Sequence, residues 1–226
     1  MSYPLPHVGR LIAAGLPVKI ITLGSSSTAG AGASSPAASY PSRLAVELTN
    51  RFPKEKFVVL NRGTNGEEAR RMVDRLESSL IAEKADLVIW QLGTNSVLRD
   101  RALEPVSSLV AKGAALLREA GADVILVDPQ YAPKVIAKGH VGDMVDLLEV
   151  AAETAHVDLF RRFALMRYWH DARGMDFAAF LSPDQLHMND WSYACLAKAI
   201  SAAIVEAAKP PTASAAMQQA QHTAAP

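Results

Sequence analysis

A chain of 226 residues in which Lys+Arg and Asp+Glu balance at 23 each has no net charge with which to attract nucleic acid or an anionic membrane surface. Half of its residues are hydrophobic, enough at this length for one large domain with a substantial core. The single cysteine, Cys195, excludes an internal disulfide and a thiolate zinc cluster, and no stretch reaches the roughly 18 to 20 apolar residues that span a bilayer.

Residues 1–17 read as an amino-terminal extension. Arg10 and the apolar residues 11–16 resemble a short signal peptide, but they run almost directly into the first strand, which cleavage would cost the fold. The reading is cytoplasmic by default, and periplasmic or secreted only if an export signal has been removed. Residues 18–208 form the domain. Apolar, β-branched-rich runs at 18–23, 57–61, 86–92, 123–128 and 157–160 read as strands. Between them, helices are expected at 37–52, where Leu44, Leu48 and Phe52 recur at four-residue spacing, and at 67–83, 104–120 and 142–154. The segment 160–181 is less regular, with Phe163, Tyr168, Trp169, Phe177 and Phe180 crowded among charges, equally able to be core or pocket wall. A final helix over 191–208 should turn Leu196, Ala199, Ile200, Ala203 and Ile204 inward, with Cys195 a small hydrophobe beside that stripe. Residues 209–226, rich in Ala, Pro and Gln, read as a disordered tail. Strands alternating with helices imply an α/β fold: a three-layer α/β/α sandwich around a mostly parallel five-stranded sheet.

In such sheets ligands bind beyond the carboxyl ends of the strands. There the first three strands run into small polar turns: Gly24-Ser25-Ser26-Ser27-Thr28, Arg62-Gly63-Thr64-Asn65-Gly66 and Gly93-Thr94-Asn95-Ser96. The first turn admits three readings: a nucleophile turn with one of Ser25, Ser26 or Ser27 aimed at a carbonyl, a phosphate cradle of N–H and O–H donors, or a plain strand-to-helix connection. A serine nucleophile needs a base, a carboxylate to orient it, and donors for an oxyanion. His7 and His222 fall in segments expected to fray, and His140, His156 and His170 fall on helix or loop surfaces by pattern. His187 differs: it follows Asp184 by three residues, in a Pro/Asp/Asn connection before the last helix, so that a carboxylate can hold Nδ1 and leave Nε2 for a hydroxyl. Together the turns offer a serine, a glycine N–H and an asparagine amide, the parts of an acyl-transfer site.

Four blocks in this order, Gly24-Ser25-Ser26-Ser27-Thr28, Asn61-Arg62-Gly63-Thr64-Asn65-Gly66, Gly93-Thr94-Asn95 and Asp184-Gln185-Leu186-His187, resemble those of the SGNH hydrolases, also called the GDSL family of esterases and lipases. The resemblance runs from the first strand to the last helix and implies the family's flavodoxin-like fold. It implies Ser26 as nucleophile, His187 as base and Asp184 as orienter. The implied oxyanion donors are the N–H of Ser26, the N–H of Gly66 and the side-chain amide of Asn95. No cofactor or metal is implied, and the implied partner is a small-molecule or carbohydrate ester, short-chain or O-acetyl. Two positions depart from the family: Ser25 stands where it usually has Asp before the nucleophile, and Ser96 where a further Asp commonly follows the asparagine. With serines on both sides, Ser26 is chosen by register alone. The competing reading is a noncatalytic flavodoxin-like binder of phosphate or nucleotide, whose cradle the first turn also resembles. Against it stand the balanced charge, the lack of a clear pair of flavin-stacking aromatic loops, and an Asp184–His187 turn that would have no task. Transfer of the acyl group to an alcohol other than water stays open.

Overall fold

The computed structural model describes residues 3–209. The tail beyond them, and His222 within it, lies outside the described residues. In chain order the elements are α1 (Pro6–Ala13), β1 (Val18–Gly24), α2 (Ser26–Ala29), α3 (Tyr40–Arg51), β2 (Phe57–Gly63), α4 (Ala69–Arg75), β3 (Leu87–Gln91), α5 (Thr94–Leu98), α6 (Glu104–Glu119), β4 (Asp123–Val127), α7 (Pro133–Ile136), α8 (Val141–Ala155), β5 (Asp158–Phe160), α9 (Arg162–Arg167), α10 (Phe177–Phe180) and α11 (Asp190–Ala207).

All five strands are parallel, in the order β2-β1-β3-β4-β5. Central strand β3 is buried along its whole length and β1 almost so, which is why both read as continuous apolar runs rather than as alternating ones. Helices cover both faces. On one, α3 packs against α11, and on the other α6 lies between α4 and α8. The expected helix over 67–83 is helical to Glu83, but it continues from α4 through a π-helical turn at Leu76–Leu80, which keeps Leu76 and Leu80 in the core. On α11 the inward stripe is Tyr193, Leu196, Ala197, Ile200, Ser201 and Ile204; Ala199 and Ala203, expected inward, sit on its half-buried flank. Steps of three and four residues from Tyr193 reach 197 and 201, so the face is centred one position away from the expected one.

The amino-terminal segment does not fray as expected. Its helix α1 closes the amino edge of the sheet, with Leu5 and Val8 buried. The Val8 N–H donates to Asp123 Oδ2 (3.0 Å), and His7 Nε2 lies 2.8 Å from Asp86 Oδ1, whose other oxygen accepts the Lys19 N–H (2.7 Å). The opposite, carboxyl edge is left for the turns. The order of strands reverses between β1 and β3, so the turns after these two strands flank the switch point where a crevice opens in such sheets.

Close packing at that edge depends on one glycine. Gly63 ends β2 directly beneath α2, and a Cβ there would come within 2.2 Å of the Ala29 nitrogen and 2.7 Å of its Cα. Both obstacles are backbone and cannot rotate away. Overpacking of this kind typically costs about 1 to 3 kcal/mol, so Gly63→Ala should lower the melting temperature by about 2 to 4 °C per kcal/mol lost. An unchanged melting temperature would show that the turn after β1 does not rest on β2.

Candidate active site

The turn after β1 solves a problem of sorting. Gly24 continues the strand, and the short helix α2 starts at Ser26 and stops at Gly30, which takes φ +105°. Of its three serines only Ser26 is part-exposed; Ser25 and Ser27 are buried. The inward pair converges on the buried side chain of Gln91, the last residue of β3. Gln91 Oε1 accepts from the Ser25 N–H (3.0 Å), the Ser25 hydroxyl (3.0 Å) and the Ser27 hydroxyl (3.2 Å). Ser25, standing at the position usually Asp in the resembled family, thus ties the turn to β3. With both neighbours committed to the interior, the Ser26 hydroxyl is the one presented outward.

His187 meets it there. The bridge between Leu181 and Met188 and the bond from the Ser182 N–H to the His187 carbonyl (2.8 Å) fold residues 181–188 back on themselves, so that Asp184 sits under the imidazole. Asp184 Oδ1 accepts from the Ser182 hydroxyl (2.7 Å) and from the N–H groups of Leu186 and His187 (2.9 Å each), while Oδ2 lies 2.5 Å from His187 Nδ1. On the far side of the ring, Nε2 lies 2.8 Å from Ser26 Oγ. Burial raises the Asp184 carboxyl, but the His187 side chain, its N–H, Ser182 and Leu186 outweigh it and hold the group well below the usual carboxylate range. Asp184 is therefore the anion that fixes Nδ1–H and leaves Nε2 to face the hydroxyl.

The second and third turns are bound to the first by a hydrogen-bonded ladder across the strand ends. The Thr64 N–H donates to the Gly24 carbonyl (2.9 Å), the Glu67 N–H to the Thr64 carbonyl (3.2 Å), and Asn95 Nδ2 to the Glu67 carbonyl (2.8 Å). Glu67 is itself buried and paired with Arg75 at 2.6 Å. A side-chain amide has two N–H bonds, so Asn95 keeps one beyond the bond that orients it. Gly66 adopts φ +72°, which turns its peptide in a way favouring glycine. The N–H groups of Ser26 and Gly66 have no acceptor among the described residues. The structure thus gathers Ser26, His187 and Asp184 into one hydrogen-bonded chain and sets Gly66 and Asn95 on the adjoining turns.

Beside the Asp184–His187 segment lies a cavity of about 690 Å³, walled mainly by Pro133, Phe177, Leu181 and Pro183, with Ser182 and Asn189 as polar edges. Of the aromatic segment 160–181, Phe177 is wall, and Tyr131 packs behind it at a centroid distance of 5.9 Å. Among the described residues no group of three or more His, Cys, Asp or Glu side chains could hold a metal ion, and no helix is long and apolar enough to cross a membrane.

Comparison with known proteins assigns the chain to a family. The family model described as the Non-GDSL lipase-like family matches residues 1–210, and the chain belongs to that family. The name suits a turn that reads Gly-Ser-Ser-Ser. Among solved structures, TesA is similar at 20% identity and a TM-score of 0.68, over 80% of this chain and 95% of its own. An Axe2 variant, an acetylxylan esterase from Geobacillus stearothermophilus, is similar at 19% identity and a TM-score of 0.71, over 83% and 94%. A two-domain esterase (CEX) active on acetylated mannans is similar at 20% identity and a TM-score of 0.72, over 92% of this chain and 56% of its own. At these identities the likeness is one of fold. A sequence comparison with curated proteins finds no match.

Four buried polar residues near the site have no place in the motifs: Gln91, Asp128, Gln130 and Arg162. The signal for Gln91 and Asp128 was a polar residue in the last two positions of an otherwise apolar strand run, where the next residues turn along the site edge. Asp128 is fully buried; Oδ1 accepts the Phe163 N–H (2.8 Å), while Oδ2 has no partner. Desolvation pushes its carboxyl up to about 7, against the pull of the Phe163 N–H and the Arg162 charge. A carboxyl whose folded value lies above its unfolded one contributes stability that is full below about 4 and lost as pH rises to about 7. The melting temperature of Asp128→Asn relative to the unsubstituted protein should therefore rise between pH 4 and 8. Parallel melting curves across that range would show that Asp128 is ionised throughout.

Proposed function

We propose that this protein is a serine hydrolase of carboxylic esters, acting through an acyl-enzyme on Ser26. The observation that carries the reading is the continuous chain from Ser26 Oγ through His187 to Asp184, with spacings of 2.8 and 2.5 Å. His187 Nε2 takes the hydroxyl proton as Ser26 Oγ attacks the ester carbonyl. Asp184 stays anionic and offsets the charge that appears on the imidazole. The developing oxyanion is met by the N–H of Ser26, the N–H of Gly66 and the second N–H of Asn95. The alkoxide leaves with the proton from His187, and water, deprotonated by the same base, releases the acid and restores the serine.

The phosphate-cradle reading of the first turn is not favoured, because the Ser25 and Ser27 hydroxyls that would serve an anion are spent inside on Gln91. For the substrate, we infer short-chain acyl or O-acetyl esters, including those on carbohydrates. Axe2 and CEX, which share the fold, are an acetylxylan esterase and an esterase active on acetylated mannans. Axe2 variants at a serine and at a histidine are described as catalytic mutants. The mainly apolar cavity beside Asp184 and His187 suits an apolar portion of the ester.

With p-nitrophenyl acetate, Ser26→Ala should lose at least about a thousandfold in kcat. Asn95→Ala should lose about a hundredfold to a thousandfold while remaining folded, as removal of one oxyanion donor does. A fluorophosphonate should leave its adduct on Ser26. Full activity in Ser26→Ala, or an adduct on Ser25 or Ser27, would overturn the assignment.

A further inference from the structure

Arg162 opens α9 immediately after β5, and its side chain is wholly buried. A guanidinium removed from water needs acceptors for its fork of donors, and this one finds three on different parts of the carboxyl edge. Nε donates to the Asp128 carbonyl (3.0 Å), one terminal nitrogen to the Ser27 hydroxyl (3.0 Å) and the other to Gln130 Oε1 (2.9 Å). Gln130, 2% exposed, passes the connection on. Its Oε1 also accepts from the Thr94 hydroxyl (2.9 Å), and its Nε2 donates to the Leu186 carbonyl at 3.4 Å. Ser27 adjoins Ser26, Thr94 adjoins Asn95, and Leu186 adjoins His187 in the chain. One planar cation and one amide therefore touch the neighbour of the nucleophile, of the oxyanion amide and of the base.

We propose that Arg162 and Gln130 are positioning residues, a buried polar bridge that sets the mutual spacing of Ser26, Asn95 and His187. The inference rests on the esterase reading above. A buried ion is a poor way to add stability, since an apolar side chain of similar volume fills the same space without loss of hydration. What a satisfied polar network adds is a fixed geometry. Ser26, Asn95 and His187 come from three separate segments, the first two at the starts of the short helices α2 and α5 and the third in the connection before α11, each with its own freedom. Their reacting atoms must agree closely, because a misplacement of about 1 Å can cost about a hundredfold in rate. The bond from the guanidinium to Ser27, and those between Gln130 and Thr94 and Leu186, restrict that freedom from below, without occupying the space where substrate reacts.

The test uses Gln130→Met, which keeps volume while removing donor and acceptor, and Ser27→Ala, which cuts the Arg162 arm beneath the nucleophile turn together with the bond to Gln91. Turnover of p-nitrophenyl acetate is measured per active site, with sites counted by fluorophosphonate titration. Each variant should lose about tenfold to a hundredfold in kcat with KM within about threefold, and the double variant should lose less than the product of the two, because both break one bridge. Ser201→Ala removes a buried hydroxyl without a hydrogen-bond partner on α11 and should leave kcat per site unchanged. Should Gln130→Met fail to fold, Thr94→Val carries the same criterion. An unchanged kcat per counted site, with only the count or the melting temperature lowered, would overturn the bridge and leave Arg162 and Gln130 as packing. Failure of the esterase reading would look different: no adduct on Ser26 in the unsubstituted protein.

Discussion

Ser26 Oγ and His187 Nε2 stand 2.8 Å apart although 161 residues separate them in the chain, and the chemistry proposed for this protein requires that distance. Neither residue could hold it alone. Ser26 begins a single helical turn at the end of β1, and His187 lies in the connection before α11. The parallel sheet brings them together, since every strand ends at the same edge and the reversal of strand order beside β1 leaves a crevice there. The contacts of α1 with Asp86 and Asp123 close the other edge.

Beneath that contact the interior is polar, with Ser25, Ser27, Gln91, Gln130 and Arg162 all buried. Serine on both sides of Ser26 is a means of anchoring: two hydroxyls and an N–H turned inward to the Gln91 amide fix the helical turn and leave one hydroxyl facing out. Ser25 accomplishes with a neutral hydroxyl, bonded across to β3, a tether of the turn that needs no carboxylate. Buried polar groups are costly unless satisfied. Gln130 and Arg162 are bonded to each other, and Arg162 and Gln91 meet at the Ser27 hydroxyl; the orphaned Oδ2 of Asp128 marks where that accounting fails, consistent with a carboxyl driven toward its neutral form.

Much of this was legible beforehand, and the reasons differ by region. Strands β1, β3 and β4 are buried on both faces, so their apolar runs stand out, and the Gly- and Asn-containing turns that follow announce themselves by residue type. The Asp184–His187 spacing is local and could be read as a carboxylate within reach of an imidazole. The order of the strands could not be read, because it depends on which crossover passes which face. Nor could the partners of Ser27 or of Arg162, which sit 135 residues apart and are joined only by folding. The segment 160–181 yielded least: α9, a π-helical turn and α10 are short, and their aromatic residues pack on each other, Trp169 on Phe180 and His170 on Phe177, rather than on one periodic face. Helix α1 was obscured by its resemblance to a leader segment, although Leu5 and Val8 carry the contacts that dock it.

The most direct measurement is a crystal structure of the protein inhibited by a fluorophosphonate, whose tetrahedral phosphorus imitates the geometry of the attacked carbonyl. The expected density joins phosphorus to Ser26 Oγ and places the phosphoryl oxygen about 2.7 to 3.1 Å from the Gly66 nitrogen and Asn95 Nδ2, with His187 still bonded to Asp184. Phosphorus on Ser26 with its oxygen turned to solvent, away from Gly66 and Asn95, would contradict the assigned oxyanion donors, and phosphorus on any other residue would contradict the site itself.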